Sequence, residues 1–295
     1  MRKTISMLII PVLLTTGCGE NKKIEDIPQD AKVVSETTSL ININNRLFHI
    51  PNPIQAAMLM KKIAVPYNKE MLNKKENAAN YTTSLKQALN MGVYGADLGY
   101  ITANNQNQDA LSHLSAIKKL SDELGVSASF DFQTMEKFGN NVGNQQEMLA
   151  LVTQAYHSCE AYMQKNDRKD VAGLIMAGAW IEGLYFAVSI AENSSSQDVI
   201  DRIGEQKRSL DNIILVLNPY YNRSDAPEFS DFVDQLIGLQ NYFKEVQVSY
   251  VFEKTTCEEA KKACTINSKN EVVISPLALK AISKAIADIR TQIIS

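Results

Sequence analysis

The chain has no proline between Pro66 and Pro219, although its 295 residues include eight prolines. Because proline breaks helices from within, nothing in this long stretch forbids continuous helix. An excess of charge is absent too, since 30 Lys and Arg stand against 33 Asp and Glu, for a formal net charge of −3. A chain with this balance lacks the basic character of nucleic-acid-binding proteins. We therefore expect no nucleic acid among its partners.

Motifs that identify a reaction are also absent. The three histidines, His49, His113 and His157, lie far apart and form no HExxH pair. The sequence contains no P-loop, no GxGxxG before a helix and no nucleophile elbow. We predict no metal and no cofactor. Without such a motif, a noncatalytic protein is the preferred interpretation.

The N-terminus is typical of a segment that directs export. Arg2 and Lys3 precede an apolar stretch at residues 5–14, which is too short to cross about 30 Å of hydrocarbon. The segment ends in Gly-Cys and resembles a bacterial lipoprotein signal, in which the cysteine, here Cys18, is lipidated. One departure is that Leu14 stands one position earlier than usual. Ordinary secretion with a chance cysteine is the alternative.

The sequence divides into three segments. We expect a signal peptide at residues 1–17, the lipidated Cys18 with a flexible tether up to residue 47, and a single domain at residues 48–295. The segment that follows Cys18 is polar and charged, which favours a tether over a folded element. Several acyl chains on the cysteine, palmitate among them, would hold the protein on the lipid bilayer of a bacterial cell envelope. The outer membrane is the expected location.

Apolar residues recur with the helical period through most of the domain. Gly125 stands where a helix would end, and Ser275 with Pro276 where the last helix would begin. The predicted helices include residues 108–124, 143–165, 167–192, 199–217, 225–243 and 275–293. We predict an all-α bundle of about eight or nine helices, and stacked antiparallel helix pairs are a compatible arrangement. Strand signals are few: residues 40–44 and 47–50 could form a hairpin or lie as extended chain on the helices.

Three stretches carry a family resemblance: IPNP at residues 50–53, residues 73–80, and residues 86–100 with the central GVYGADL. From about residue 48 to the C-terminus the chain resembles uncharacterised lipoproteins of Bacteroidetes-type bacteria. That resemblance implies a helical fold, lipidation and an envelope location. It implies no mechanism.

One candidate site lies around Asp97. Gly92, Gly95 and Gly99 place bare backbone on one side of a predicted helix, which allows another helix to approach closely. The chain would then bury Asp97 beside Tyr94, and a buried carboxylate must be hydrogen-bonded, paired or protonated. We predict that this segment packs against residues 171–190 and that Gly95 is its most sensitive position. Tyr100, at the end of the same stretch, belongs to the same candidate cluster.

Residues 171–190 are nearly all apolar, with Glu182 as the single charge, close to the only tryptophan, Trp180. Length alone would permit a transmembrane helix, but a central charge disfavours insertion. We predict a buried core helix. Together, Asp97 and Glu182 are candidates for a paired-carboxylate hydrolase site, and the alternative is that each carboxylate plays a separate structural role.

Two cysteines are candidates for a disulfide. Cys257 and Cys264 bracket a polar segment before the last helix, in a chain expected to reach an oxidising compartment. A helix would hold their Cα atoms too far apart, whereas a loop could bring them together. We predict a disulfide between them, and we expect Cys159 to behave as a small buried apolar residue.

The leading hypothesis is a noncatalytic, membrane-anchored envelope lipoprotein whose helical domain binds or scaffolds a protein or glycan partner. The alternative is a hydrolase that uses Asp97 and Glu182. An enzyme would need both carboxylates in an open pocket, whereas a binding domain tolerates carboxylates that are buried and satisfied.

Overall fold

The architecture was analysed in a computed structural model. It describes residues 38–43, 46–51, 57, 61, 66–129, 136–138, 140–141, 144–166, 168–193, 196–222, 226–258, 263–265 and 268–295. The predicted signal peptide, Cys18 and the first part of the predicted tether lie outside these residues.

The fold is an all-α, multi-helix bundle, as predicted. Seven long α-helices lie within the described residues. They are α1 Ser84–Ala103, α2 Asn107–Glu123, α3 Gln145–Lys165, α4 Lys169–Asn193, α5 Gln197–Leu217, α6 Pro227–Phe243 and α7 Pro276–Ile294. Short 3-10 helices occur at Lys69–Met71, Lys75–Ala79, Ser127–Ser129 and Asn218–Tyr220.

Local sequence explains several of the helix ends. Thr83 caps α1 and Ser275 caps α7, each accepting a hydrogen bond from the backbone N–H three residues on. Gly125 follows α2 with φ of +68°, a left-handed conformation that glycine adopts at little cost. The predicted ends at Gly125 and Ser275 are therefore confirmed.

Helices α1 and α4 form the centre of the bundle. They pack along each other, and α2, α3 and α7 contact α1 while α3, α5 and α7 contact α4. Helix α4 is long and apolar enough to cross a membrane by length and composition alone, but the bundle buries almost all of it. This burial agrees with the prediction of a core helix.

Two glycines allow the central helices to approach closely. A Cβ on Gly92 of α1 would lie 1.9 Å from the Ile175 carbonyl oxygen, and one on Gly178 of α4 would lie 2.0 Å from the Leu89 carbonyl oxygen. The predicted contact between the two helices is therefore present. The prediction for Gly95 is wrong, because a Cβ there would meet nothing within 4 Å. The sensitive position lies one helical turn earlier.

Within the described residues, strands occur in three two-stranded antiparallel ladders. Strand β1 (Thr38–Ile43) pairs with β2 (Arg46–Pro51), so the hairpin considered from sequence is formed, and part of it falls within the predicted tether. Strands β3 (Gln247–Val251) and β6 (Lys269–Val273) pair beside α5, and β4 (Thr256–Glu258) pairs with β5 (Ala263–Thr265). The last two ladders were not predicted, because strands of three to five residues are too short to give a clear pattern.

The pairing of β4 with β5 bears on the predicted disulfide. Cys264 is disulfide-bonded, and the residue directly opposite it in the ladder is Cys257. This register is the one that a bridge between the two cysteines requires. The segment is therefore neither of the two arrangements considered from sequence, a helix or a loop, but a short hairpin.

Candidate functional site

The most unusual feature of the core is a buried cluster of ionisable side chains. Asp97 comes from α1, Glu182 from α4, Arg290 from α7 and His113 from α2. Both carboxylates are fully buried, while Arg290 is 7% and His113 5% exposed. Four helices thus direct charge or potential charge into one place, where solvent cannot screen it.

Arg290 holds Glu182 in a two-pronged ion pair. Its Nε lies 2.6 Å from Glu182 Oε2, and its Nη2 lies 2.7 Å from Oε1. The guanidinium also lies 4.1 Å from the centre of the Tyr185 ring, within the range of a cation–π contact. In such a two-pronged pair each charge lies directly against its opposite, although removing both charges from water still costs free energy.

Asp97 lies beside that ion pair but does not share its compensation. Its Oδ2 accepts a hydrogen bond from the backbone N–H of Asn73 at 3.1 Å, whereas Oδ1 has no donor among the described atoms. Burial raises the pKa of the Asp97 carboxyl well above its ordinary value, and the neighbouring charge of Glu182 raises it further. A protonated Asp97 carries no charge, and its carboxyl O–H becomes a hydrogen-bond donor. The full burial of the side chain and the lack of a donor to Oδ1 therefore favour the protonated form of Asp97.

His113 closes the other side of Asp97. Its Nε2 lies 3.8 Å from Asp97 Oδ2 and 3.2 Å from the carbonyl oxygen of Asn73, while Nδ1 lies 3.0 Å from the carbonyl oxygen of Asp109. Burial lowers the pKa of His113, and the two carbonyl groups oppose that shift. A neutral imidazole carries one N–H, so the ring donates to only one of these two carbonyl oxygens in either tautomer.

One stretch of chain covers the cluster. Residues 67–74, which we call the strap, precede α1 and pass over the buried side chains. Their backbone is extended at Asn68, Leu72 and Lys74, with a single 3-10 turn in between. Side chains of the bundle reach its N–H and C=O groups one after another, and the side chains of Tyr67, Lys69 and Asn73 add polar contacts of their own.

Five main-chain contacts hold the strap, each to a different side chain of the bundle. The N–H of Asn68 donates to Tyr100 Oη at 2.9 Å, and that of Asn73 to Asp97, as described above. The carbonyl oxygens of residues 71, 73 and 74 accept from other side chains. The donors are Arg290 at 2.6 Å and Tyr94 at 2.8 Å, together with His113 at 3.2 Å when its proton is on Nε2.

The Asn73 side chain is the strap's buried anchor. Its Nδ2 donates to Tyr81 Oη at 3.0 Å and to Asn90 Oδ1 at 3.1 Å. Asn90 Nδ2 in turn donates to the carbonyl oxygen of Ile293 at 2.8 Å. This network connects the strap to the C-terminal end of α7.

Four of the five residues predicted for the polar cluster lie together. Tyr94, Asp97, Tyr100 and Glu182 all surround the strap or the ion pair beneath it. Trp180 is directed elsewhere: its Nε1 donates to Gln206 of α5 at 3.0 Å. Two residues apart on a helix, Trp180 and Glu182 cannot face the same neighbour.

Arg290, Asn73, His113 and Asn90 belong to the cluster but were not predicted as members. Arg290 carried a sequence signal, since it falls on the apolar face of a predicted amphipathic helix, four residues after Ile286 and three before Ile293. Asn73 carried no comparable signal, because the side chains of residues 67–74 show no periodic pattern.

A surface cavity lies away from the cluster. It has a volume of about 450 Å³ and is lined at the N-terminal ends of α1, α4 and α6, by residues such as Ser84, Arg168 and Glu228. None of the cluster's side chains lines it. Within the described part of the chain, no three His, Cys, Asp or Glu side chains are grouped in a way that could hold a metal ion.

The chain matches no protein-family model, no curated protein and no solved structure.

Proposed function

We propose that this chain is a lipid-anchored protein of the bacterial envelope whose helical domain is a noncatalytic binding or scaffold module. The anchor rests on the sequence: Arg2 and Lys3, the short apolar stretch and the Gly-Cys end at Cys18. The resemblance of residues 48–295 to lipoproteins of Bacteroidetes-type bacteria supports the same location. A protein or glycan of the envelope is the expected partner, and the outer membrane the expected site.

The sealed state of the carboxylates carries the noncatalytic part of the proposal. Asp97 and Glu182 are fully buried, Arg290 compensates Glu182, and the strap covers Asp97. A catalytic carboxylate must reach substrate, and these side chains instead contact backbone and one another. Their arrangement is the one expected of groups that hold a fold together.

Two observations bear on the hydrolase alternative. The charge of Glu182 acts on Asp97, so the two carboxyl groups belong to one buried cluster. Glycosidases need an open space between their two carboxyl groups, in which a sugar and a water fit. Both carboxyl groups are fully buried here, which disfavours glycoside hydrolysis.

Fractionation of cells that express the full chain tests the anchor. We expect the protein in the detergent-extracted membrane fraction, and we expect Cys18→Ala to move it to the soluble fraction, because the acyl chains attach only there. Cys159→Ala is the matched control and should stay in the membrane. Membrane retention of Cys18→Ala would contradict the proposal.

Turnover assays test the noncatalytic role. We expect the purified chain not to hydrolyse a panel of aryl glycosides and esters. Any background hydrolysis should be equal in the native chain and in Asp97→Asn. Hydrolysis that is lost in Asp97→Asn, while the melting temperature is kept, would overturn this part of the proposal and support the hydrolase.

A further inference from the structure

We propose that the groove beneath the strap is a peptide-binding site, and that residues 67–74 fill it as an internal ligand that an extended segment of a partner protein can displace. The inference deepens the proposed binding role and rests on it, because it names the class of partner. The observation that carries it is the way in which the strap is bound.

The groove contacts the main chain of its occupant in an ordered series. Tyr100 and Asp97 accept from backbone N–H groups, while Arg290, His113 and Tyr94 donate to carbonyl oxygens. Every polypeptide offers the same N–H and C=O groups. A site built from such contacts can therefore bind the main chain of another peptide that adopts the conformation of the strap, extended on both sides of one 3-10 turn.

Two side chains of the occupant are buried in the groove and two more are partly buried. Leu72 is 7% exposed and Asn73 is fully buried, Tyr67 and Met71 pack partly against the core, and residues 68–70 are exposed. The buried pair would supply the sequence preference of the site. We infer a ligand with an aliphatic residue followed by asparagine and preceded by a partly buried apolar residue.

The groove belongs to the bundle rather than to the strap. Its five contacting side chains stand on α1, α2 and α7, which also pack against the bundle through contacts that do not involve residues 67–74. At its outer margin the strap contacts Asp109: Lys69 forms an exposed ion pair with it, and Tyr67 Oη donates to it at 3.0 Å in a partly buried contact. The Tyr67 ring also stacks on Tyr100, with 5.3 Å between the ring centroids. The ion pair contributes little, so displacement of the strap must break mainly the tyrosine contacts at this end.

A strap that already fills the groove lowers the apparent affinity for an added peptide. A short tether gives the strap an effective concentration of the order of millimolar, against which a partner peptide must compete. A change that weakens the strap without altering the groove should therefore raise the affinity for an added peptide. This relation separates a groove filled by an internal ligand from an ordinary structural contact.

The experiment uses the full chain in detergent and a fluorescein-labelled synthetic peptide with the sequence of residues 66–80. Binding is measured by fluorescence anisotropy to the unaltered chain and to Asn73→Ala. Because the variant strap loses its buried amide contacts, we expect the peptide to bind Asn73→Ala at least about tenfold more tightly than the unaltered chain. A peptide with alanine at the position of Asn73 is the control and should bind both proteins weakly.

A groove variant tests the main-chain contacts. In the Asn73→Ala background, Tyr94→Phe removes the donor to the carbonyl oxygen of residue 74 and should weaken peptide binding several-fold. Tyr250→Phe, on an exposed strand, is the matched control and should leave binding unchanged.

A second measurement keeps the proposal testable if Asn73→Ala does not fold. Amide exchange of the strap in the unaltered chain is followed at millimolar peptide, and we expect it to accelerate when the peptide occupies the groove. Equal peptide affinity for a folded Asn73→Ala and the unaltered chain would overturn the inference, as would strap exchange that saturating peptide does not change. Anchoring is read separately by fractionation, so failure of the lipoprotein proposal and failure of the groove give different results.

Discussion

The contact between α1 and α4 and the ladder of β3 with β6 use apolar residues in opposite ways. At the helix contact, Gly92 and Gly178 bring two backbones together, and nearly every neighbouring side chain is buried. On β3 and at the residue that follows it, in contrast, Val248, Tyr250 and Phe252 occur at every second position and are 43%, 66% and 76% exposed. Apolar composition alone therefore does not mark the core of this chain. Small residues and buried charges identify it better.

The buried charges make the comparison sharper still. The helix contact encloses Glu182, Asp97 and Arg290, which would each be costly alone, whereas the charged residues described near the ladder remain in solvent. Removing one buried partner leaves the other as an uncompensated charge in the core, whereas removing an exposed side chain of the ladder leaves no such charge. We therefore expect substitutions around the cluster to have much larger effects than substitutions on the ladder.

The largest effect is expected from Arg290→Met. Without the guanidinium, Glu182 is left as a buried charge without its partner, and unfolding should require about 3–5 kcal/mol less free energy. Chemical denaturation measures the loss. Lys284→Met, which removes an exposed ion pair on the same helix, is the control and should leave the denaturation midpoint unchanged. Similar midpoints for the two variants would contradict the role of the cluster.

A smaller but more specific effect is expected from the glycines of α1. Gly92→Ala places a methyl group against the Ile175 carbonyl, and we expect a loss of about 1–3 kcal/mol as the helices separate. Gly95→Ala adds the same methyl group where nothing lies within 4 Å, and should stabilise the helix by up to about 1 kcal/mol. Thermal melts of the two variants should therefore shift in opposite directions. A shift in the same direction would show that the close approach is not where the structure has it.

Asp97→Asn should change the pH dependence of stability more than stability itself. Because burial raises the pKa of Asp97 in the folded state, its contribution is complete below the unfolded pKa of about 4 and is lost as the pH rises through the folded pKa. Asparagine imitates the protonated carboxyl at every pH. The stability of the native chain relative to Asp97→Asn should therefore decline from pH 5 towards pH 9.

His113 also titrates in this comparison, because its Nε2 lies 3.8 Å from Asp97. Burial lowers the pKa of His113, so its contribution is complete above its unfolded pKa of about 6.5 and is lost as the pH falls below that value. The contribution of Asp97 is therefore read above about pH 7, where His113 is neutral in both states. Denaturation curves at several pH values measure the difference between the two proteins. A constant difference would mean that Asp97 does not hold a proton in the folded state.

The smallest effect is expected on the ladder. Phe252→Ser and Tyr250→Ser should each change the free energy of unfolding by no more than about 0.5 kcal/mol, because these side chains are mostly in water already. Val246→Ala, a few residues earlier but fully buried, is the matched control and should cost about 1–3 kcal/mol. A large loss in Phe252→Ser would show that the ladder packs against something beyond the described residues.

The helical fold could be predicted from sequence because its signals are local. The proline-free stretch after Pro66, the apolar period, Gly125 and Ser275 each act within one or two helical turns. The contact between α1 and α4 could also be predicted in outline, since glycines and an isolated carboxylate occur in both helices. Which glycine makes the contact depends on how the helices are rotated about their axes. That rotation is set by the whole core, so Gly95 was the wrong choice.

The cluster could be predicted only in part, for a related reason. Asp97 and Glu182 are conspicuous as charges in apolar helices, but Arg290 is more than 100 residues from Glu182 and joins it only when α7 docks. The strap was not predicted at all. Its five contacts involve backbone groups, which every residue carries and which therefore leave no pattern in the sequence.

Amide hydrogen exchange at Asn73 tests most directly the claim that the buried cluster binds the strap through its main chain. The N–H of Asn73 donates to Asp97 beneath a covered surface, so we expect it to exchange at least about a hundredfold more slowly than the same amide in an unstructured peptide. Exchange at the rate of the unstructured peptide, in a chain whose α1 and α4 amides remain protected, would contradict the claim.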